Sequence, residues 1–254
     1  MFAQERLHAI ETIVRQKGRL TVGELASQVA ASEITIRRDL RLLEAEGKVV
    51  RAHGGALHPD FLQPEPGFEH KAVDGIEAKA AIARKVADSL PQSGQVFIDA
   101  GTTCLEVGRQ LLERRELTIV TNSIPLLQLG SDAKARVIAL GGEVRPLSLA
   151  LVGALALDWL QALRFDVAVI GASGLDRTDG ASTTEISEAA VKQQVCARAR
   201  QRILAAHSAK WNHSAAVRIG PWTTFNQFVT DARLTAADKT HLRKAGVSVQ
   251  IVSL

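Results

Sequence analysis

The run Ser32-Glu33-Ile34-Thr35-Ile36-Arg37-Arg38-Asp39-Leu40-Arg41-Leu42-Leu43 constrains this chain more than any other stretch. Ser32 supplies a hydroxyl where an opening helix has an unpaired backbone N–H. At about 100° per residue, Ile36, Leu40 and Leu43 fall on one narrow face, and Arg37, Arg38 and Arg41 lie opposite. The pattern predicts one helix with an aliphatic stripe to anchor it and an arginine stripe facing outward. In isolation that describes any solvated surface helix, so the flanking residues decide its meaning. Upstream, Thr21-Val22-Gly23-Glu24 has the spacing of a capping box and opens a short helix through about Val29. The bridge Ala30-Ala31-Ser32 is as short as a helix-turn-helix requires. Before it, Leu7, Ile10 and Val14 give helical spacing over Phe2 to Gln16, with Gly18 as a stop. Gly47 ends the arginine helix, Lys48 to His53 reads as a strand, and Gly54-Gly55 as a tight turn. Three helices and a small hairpin predict a winged helix-turn-helix over residues 1–57.

Such a module suits double-stranded DNA. The major groove admits one α-helix, and arginine pairs in two-pronged fashion with guanine or clamps a phosphate. The candidate contacts are Ser32, Thr35, Arg37, Arg38 and Arg41 on the helix. Arg51 and His53 on the wing, beside Lys48, would meet backbone phosphates. Residues 1–58 hold nine Lys/Arg against seven Asp/Glu, so the charge is useful through its placement and not its amount.

Residues 58–68 include Pro59, Pro64 and Pro66, which remove donors and favour extended backbone, and they read as a linker. Beyond it, over 69–254, helical and aliphatic strand patterns alternate. Helices are expected at Ile76 to Leu90, Gly101 to Leu112, Pro125 to Leu129, Leu151 to Leu163, Glu185 to Arg200 and from Thr235. Strands are expected at Val96–Ile98, Leu117–Val120, Val137–Leu140, Phe165–Ile170, Arg202–Ala206, Gln227–Thr230 and Val247–Val252. Alternation of this kind predicts a Rossmann-like α/β domain with a parallel sheet covered on both faces. Ligands of such sheets sit outside the carboxyl ends of the strands. The segments there are Asp99 to Thr103, Thr121-Asn122-Ser123, Gly141 to Arg145 and Gly171 to Gly174. Each is small, polar or glycine-rich, and their convergence predicts an anion-binding cleft built on helix N-termini.

Composition narrows the alternatives. The 254 residues carry a net charge of +4 and are 46% hydrophobic, enough for a buried core and one or two domains. Cys104 and Cys196 form no metal-ligand spacing, and the seven histidines form none either, so no cofactor or metal is expected. No apolar run approaches the length of a membrane span, and no signal run opens the chain, so a cytoplasmic protein without a membrane partner is expected.

Thr35-Ile36-Arg37-Arg38-Asp39-Leu40, Leu43-Glu44-Ala45-Glu46-Gly47 and Arg51-Ala52-His53-Gly54-Gly55-Ala56 resemble the N-terminal domain of DeoR-type bacterial transcriptional regulators over about 55 positions. Lys79, Asp99 to Thr103, Thr121-Asn122, Gly141-Gly142 with Arg145, and Glu188 with Val191-Lys192 resemble the effector domain of the same family. The resemblance implies a fold similar to ribose-5-phosphate isomerase and a phosphorylated sugar as effector. It implies that Gly101, Thr102 and Thr103 hold phosphate or sugar oxygens and that Asp99 accepts from sugar hydroxyls. Thr121, Asn122, Gly141 and Gly142 would line the cleft, with Lys79, Arg145, Lys192 and Lys210 as candidate cations. His207 stands where the family commonly has an aspartate. The expected function is that of a repressor of a carbohydrate catabolic operon, acting as a homodimer or homotetramer on operator DNA. A sugar-phosphate isomerase is the alternative, with Asp99, Glu185 or Glu188 as base. The fused DNA-binding module argues against an enzyme.

Overall fold

The computed structural model describes residues 3–17, 19–52, 55–57, 65–231 and 234–254. The chain divides into two compact units, Met1–Glu65 and Pro66–Leu254. Residues 58–64 of the expected linker lie outside the described residues, as do Gly18, His53 and Gly54.

The first unit runs α1 (Ala3–Lys17), β1 (Arg19–Thr21), α2 (Val22–Gln28), α3 (Glu33–Ala45), β2 (Val50–Ala52) and β3 (Gly55–Leu57). Thr21 and Glu24 close the capping box that opens α2, and Ser32 accepts from the Thr35 N–H to open α3. Ile36, Leu40 and Leu43 bury against Ile10, Val14, Leu25 and Val29 to form the core. The alternating and helical spacings that sequence showed are thus satisfied by one shared interior. Two details differ from expectation. A third strand, β1, pairs antiparallel with β3, giving the order β1-β3-β2. Gly55 belongs to β3 and not to a turn. A Cβ on Gly55 would stand 2.1 Å from the Leu20 carbonyl oxygen, so the close approach of β1 requires glycine there.

The second unit opens with α4 (Phe68–Val73), α5 (Ile76–Ser89), β4 (Gly94–Ile98), α6 (Thr102–Leu111), β5 (Leu117–Thr121), α7 (Ile124–Leu129) and β6 (Arg136–Ala139). There follow β7 (Glu143–Arg145), β8 (Ala150–Val152), α8 (Ala154–Ala162), β9 (Phe165–Ile170), β10 (Gly174–Asp176), β11 (Gly180–Thr183) and α9 (Ile186–Arg198). The chain closes with β12 (Ala199–Ala205), β13 (Val217–Gly220), β14 (Gln227–Asp231), α10 (Ala236–Lys244) and β15 (Ser248–Val252). Seven strands form a parallel sheet in the order β15-β14-β12-β9-β4-β5-β6. Successive residues of its central strands enter opposite cores, as a strand period of two demands. Val96, Ile98, Val167, Val169, Ile203 and Ala205 pack with α5, α6 and α7, while Phe97, Ala168, Ile170 and Leu204 pack with α8, α9 and α10.

Two small antiparallel sheets, β7-β8 and β10-β11-β13, were not anticipated. The expected helix from Leu151 is corrected: Leu151 and Val152 complete β8, and α8 begins only after Gly153 at φ +93°. The Leu151 N–H donates to the Asn122 carbonyl, which takes that residue out of any helix. Among the described residues no helix is long and apolar enough to cross a membrane.

The Gly55→Ala variant should lose about 2 kcal/mol or more of stability in the first unit by overpacking against backbone. Hydrogen exchange would show this as faster exchange confined to β1, β3 and the helices they hold.

Candidate functional site

On α3 the three arginines are exposed while Ile36, Asp39, Leu40 and Leu43 are buried. Asp39 is held by Arg6 of α1, whose Nε donates to Oδ2 at 2.6 Å and whose second nitrogen donates to Oδ1 at 3.2 Å. This pairing fixes α3 against α1 and occupies the only acid near the centre of the arginine run. Arg37 spans one turn to Glu33 at 2.8 Å, with both side chains over half exposed. The Ser32 and Thr35 hydroxyls share a hydrogen bond of 2.8 Å at the helix start. Ile34, 79% exposed, sits at the i, i+3, i+4, i+7 spacing with Arg37, Arg38 and Arg41 and was missed by the stripe assignment. Its spacing was readable, yet an isoleucine there looks like core until burial is known. Arg51 lies on β2, and His53 is outside the described residues.

In the second unit a cleft opens at the carboxyl ends of β4, β9 and β12. The segment after β4 gives Ala100 to Cys104, that after β9 gives Gly171 to Ser173, and that after β12 gives Ala206, His207 and Lys210. Phe68, Lys71, Asp74 and Lys79 form a wall from α4 and α5, and Ser148, Thr183, Glu188 and Lys192 complete the lining. Its cavity volume is about 80 Å³, and its mouth opens to solvent. β4 and β9 are neighbours, and the chain leaves β4 toward β5 on one side before returning to β9 on the other. That is a topological switch point, where adjoining loops diverge and leave a crevice.

Of the residues expected here, Lys79, Gly101, Thr102, Thr103, Lys192 and Lys210 line the cleft. Asp99 does not. It is buried beneath, where its Oδ2 receives the Lys192 ammonium and the Gly171 N–H. Its Oδ2 is therefore committed within the protein, while its buried Oδ1 has no hydrogen-bond partner among the described residues. Thr121 and Asn122 brace the wall from behind. The Thr121 hydroxyl donates to the Ile98 carbonyl at 2.6 Å, and Asn122 Oδ1 accepts the Ala100 N–H at 2.8 Å. Gly141 and Gly142 follow β6, the far edge strand, and a Cβ on Gly142 would meet the Val152 carbonyl at 2.3 Å. Arg145 is turned to Glu188, its Nη1 donating at 3.0 Å. Strand order accounts for Gly141 and Gly142, because β6 is the edge strand, two places from β4.

Glu188, Thr183, Ser148, Lys71 and Asp74 are lining residues that the strand-end rule did not reach, whereas Ser173 lies in its Gly171–Gly174 segment. They arrive from α9, the small antiparallel sheets and α4. The Thr183 hydroxyl donates to Glu188 at 2.9 Å, and the buried Ser148 hydroxyl has no hydrogen-bond partner within the protein. Burial opposes charge on Lys192, but Asp99 and Glu188 outweigh it and hold the ammonium above its ordinary range. Burial likewise pushes the Asp99 carboxyl up, against the pull of Lys192. The ion pair is the state that the geometry favours, since the ammonium also donates to the Gly171 carbonyl. Lys79 is displaced downward by burial, with Lys210 adding to the effect and Asp74 opposing it. Each carboxylate proposed as an isomerase base is engaged: Asp99 by Lys192, Glu188 by Arg145 and Thr183, and Glu185 by the Glu188 N–H it caps.

A profile of DeoR-like helix-turn-helix domains matches residues 6–60, and one of the DeoR C-terminal sensor domain matches residues 74–232. The chain belongs to the DeoR family of transcriptional regulators. DeoR relatives align over nearly the whole length. The HTH-type transcriptional regulator GlpR of Haloferax volcanii is 32% identical over 249 residues, 98% of each chain. The glycerol-3-phosphate regulon repressor of Escherichia coli is 32% identical over 229 residues, 90% of each chain. The HTH-type transcriptional repressor CsqR of Escherichia coli is 31% identical, over 93% of this chain and 91% of its own. A ribose-5-phosphate isomerase from Methanocaldococcus jannaschii superimposes over 54% of this chain and 55% of its own with a TM-score of 0.39 and 13% identity. At that level the likeness adds nothing to the α/β assignment, which stands on the parallel sheet.

Lys192→Met should cost the sensor unit about 3–5 kcal/mol, because it strands the Asp99 carboxyl in the interior. Urea unfolding would register the loss, and a double variant that also carries Asp99→Leu should recover a large part of it.

Proposed function

We propose that this DeoR-family regulator is a repressor of a carbohydrate-utilisation operon and is switched by a phosphorylated sugar. The observation that carries the reading is the gathering of Lys71, Lys79, Lys192 and Lys210 around the opening turn of α6. Backbone N–H groups there stand beside cations at a strand-end crevice, which is what a phosphate ester requires. The hydroxyls of Thr102, Thr103, Ser148 and Ser173 are suited to the polyol end of such a ligand. The name of the Escherichia coli relative, a glycerol-3-phosphate regulon repressor, supports the same ligand class.

On the DNA side, α3 acts as the recognition helix. Arg37, Arg38 and Arg41 meet bases or phosphates, Ser32 and Thr35 reach backbone oxygens, and Arg51 and His53 extend contacts from the wing. Ile34 offers an apolar surface to a thymine methyl. One such module spans too few base pairs for useful specificity, so a homodimer or homotetramer reading paired half-sites in the cytoplasm completes the proposal. α4 carries Phe68 and Lys71 into the cleft wall and begins just past the unit boundary at Glu65–Pro66. A ligand gripped there acts on the segment from which the connector leaves.

Operator sites selected from a random duplex pool provide the test. Arg38→Ala should weaken binding by about 1–3 kcal/mol and leave the thermal shift with sugar phosphates unchanged. Titrating phosphorylated sugars into the wild-type complex should release the DNA. Operator binding indifferent to every sugar phosphate would end the switching reading, and full affinity in Arg38→Ala would end the helix assignment.

A further inference from the structure

The cleft holds one group whose charge is open to change near neutral pH. His207 follows β12, is 6% exposed and lines the cleft. Its ring packs on Gly75, where an added Cβ would stand 3.7 Å from Nδ1, and its Nε2 lies 3.9 Å from Asp74 Oδ2. The charged groups facing it come from every side. Asp74 stands at the α4–α5 corner, Lys79 on α5, Lys210 on the short turn Ser208–Lys210, and Asp231 at the end of β14. Lys71 of α4 lines the same cleft. Burial and Lys210 hold the imidazole below its ordinary range, with Lys79 adding to them and Asp74 offsetting them in part. Burial and the neighbouring lysines therefore disfavour the charged form of the ring.

Resting on the anion-binding reading above, we propose that His207 matches the charge of the bound ligand, taking up a proton from solvent when a phosphate dianion enters the cleft. The physical reason is a reversal of the local field. An empty cleft sets the ring against ammonium groups, which repel a further positive charge. A dianion among those lysines cancels the repulsion and supplies a second acceptor besides Asp74. An opposite charge within ~4–6 Å moves a titration by ~1–3 pH units, enough to carry a depressed imidazole back through neutrality. No other exchange is needed: the ring gains one proton and solvent loses it. Two consequences follow for function. The cleft favours dianions over monoanions, and its affinity for them rises as pH falls.

The experiment uses the full chain labelled with ¹⁵N-histidine and two probes, sulfate and inorganic phosphate. Sulfate stays dianionic over the whole range, so any proton taken up with it belongs to the protein. His207 is assigned by loss of its signals in His207→Gln, which keeps a polar side chain without a titrating ring. Saturating sulfate should raise the His207 midpoint by about one pH unit or more. Sulfate affinity in the wild type should gain up to about tenfold between pH 8 and pH 6, and His207→Gln should show a flat profile. A midpoint unmoved by sulfate that still binds, or the same pH profile in His207→Gln, would overturn the proposal and leave the anion site standing. Failure of both anions to bind would be a separate result, removing the anion-site reading and this proposal together.

Discussion

The buried contact between Lys192 and Asp99 holds the sensor unit's working end in register. Asp99 leaves β4, Gly171 leaves β9 and Lys192 rises from α9, and all three meet through one carboxylate oxygen and one ammonium. A buried ion pair of this kind adds little net stability over well-packed apolar residues, since desolvation consumes most of the attraction. Its effect is geometric. With the pair formed, the segments that follow β4 and β9 cannot drift apart, and the crevice between them keeps a fixed floor. Asn122, reaching from the end of β5 to the Ala100 N–H, fixes the same segment from the opposite side. Hence the polar residues at the strand ends divide into those that face the cleft and those that hold it in place.

That division explains what was legible in the sequence. Ile36, Leu40 and Leu43 announced the buried side of α3 because helical spacing depends only on neighbours along the chain. The strands of the parallel sheet were visible as aliphatic runs for a similar reason, being buried on both faces. Gly101 to Thr103 were found by the strand-end rule, whereas Lys79, Lys192 and Lys210 came from the resemblance to the DeoR effector domain. The same rule also named Thr121, Asn122, Gly141, Gly142 and Arg145, which stand outside the lining, because it gives every strand end equal weight. Only the order β12-β9-β4-β5-β6 shows which ends adjoin the switch point. The pairing of Asp99 was hidden for another reason: a carboxylate at a strand end looks the same in sequence whether it faces solvent or a buried lysine 93 residues away. The β7-β8 hairpin stayed hidden because three-residue strands leave too short an alternation to read.

The hidden hairpin and α4 matter for how the cleft can report occupancy. Leu147, in the loop between β7 and β8, accepts the Phe68 N–H at the first turn of α4, and Lys79 donates to the Lys71 carbonyl near its end. α4 is therefore tied to the cleft at both ends while having no fully buried side chain of its own. A six-residue helix has little intrinsic stability, since most of a helix's stability in a protein comes from burying one face. Moving a two-state regulator from nearly all bound to nearly all released needs a preference of about 5.5 kcal/mol between the states. On the proposed reading, a phosphate ester contacting Lys71 and Lys79 would make charge-assisted bonds only in the arrangement of α4 that it selects. Two or three bonds of that kind, each worth roughly 1.5–3 kcal/mol, reach the required difference without any change in the sheet beneath.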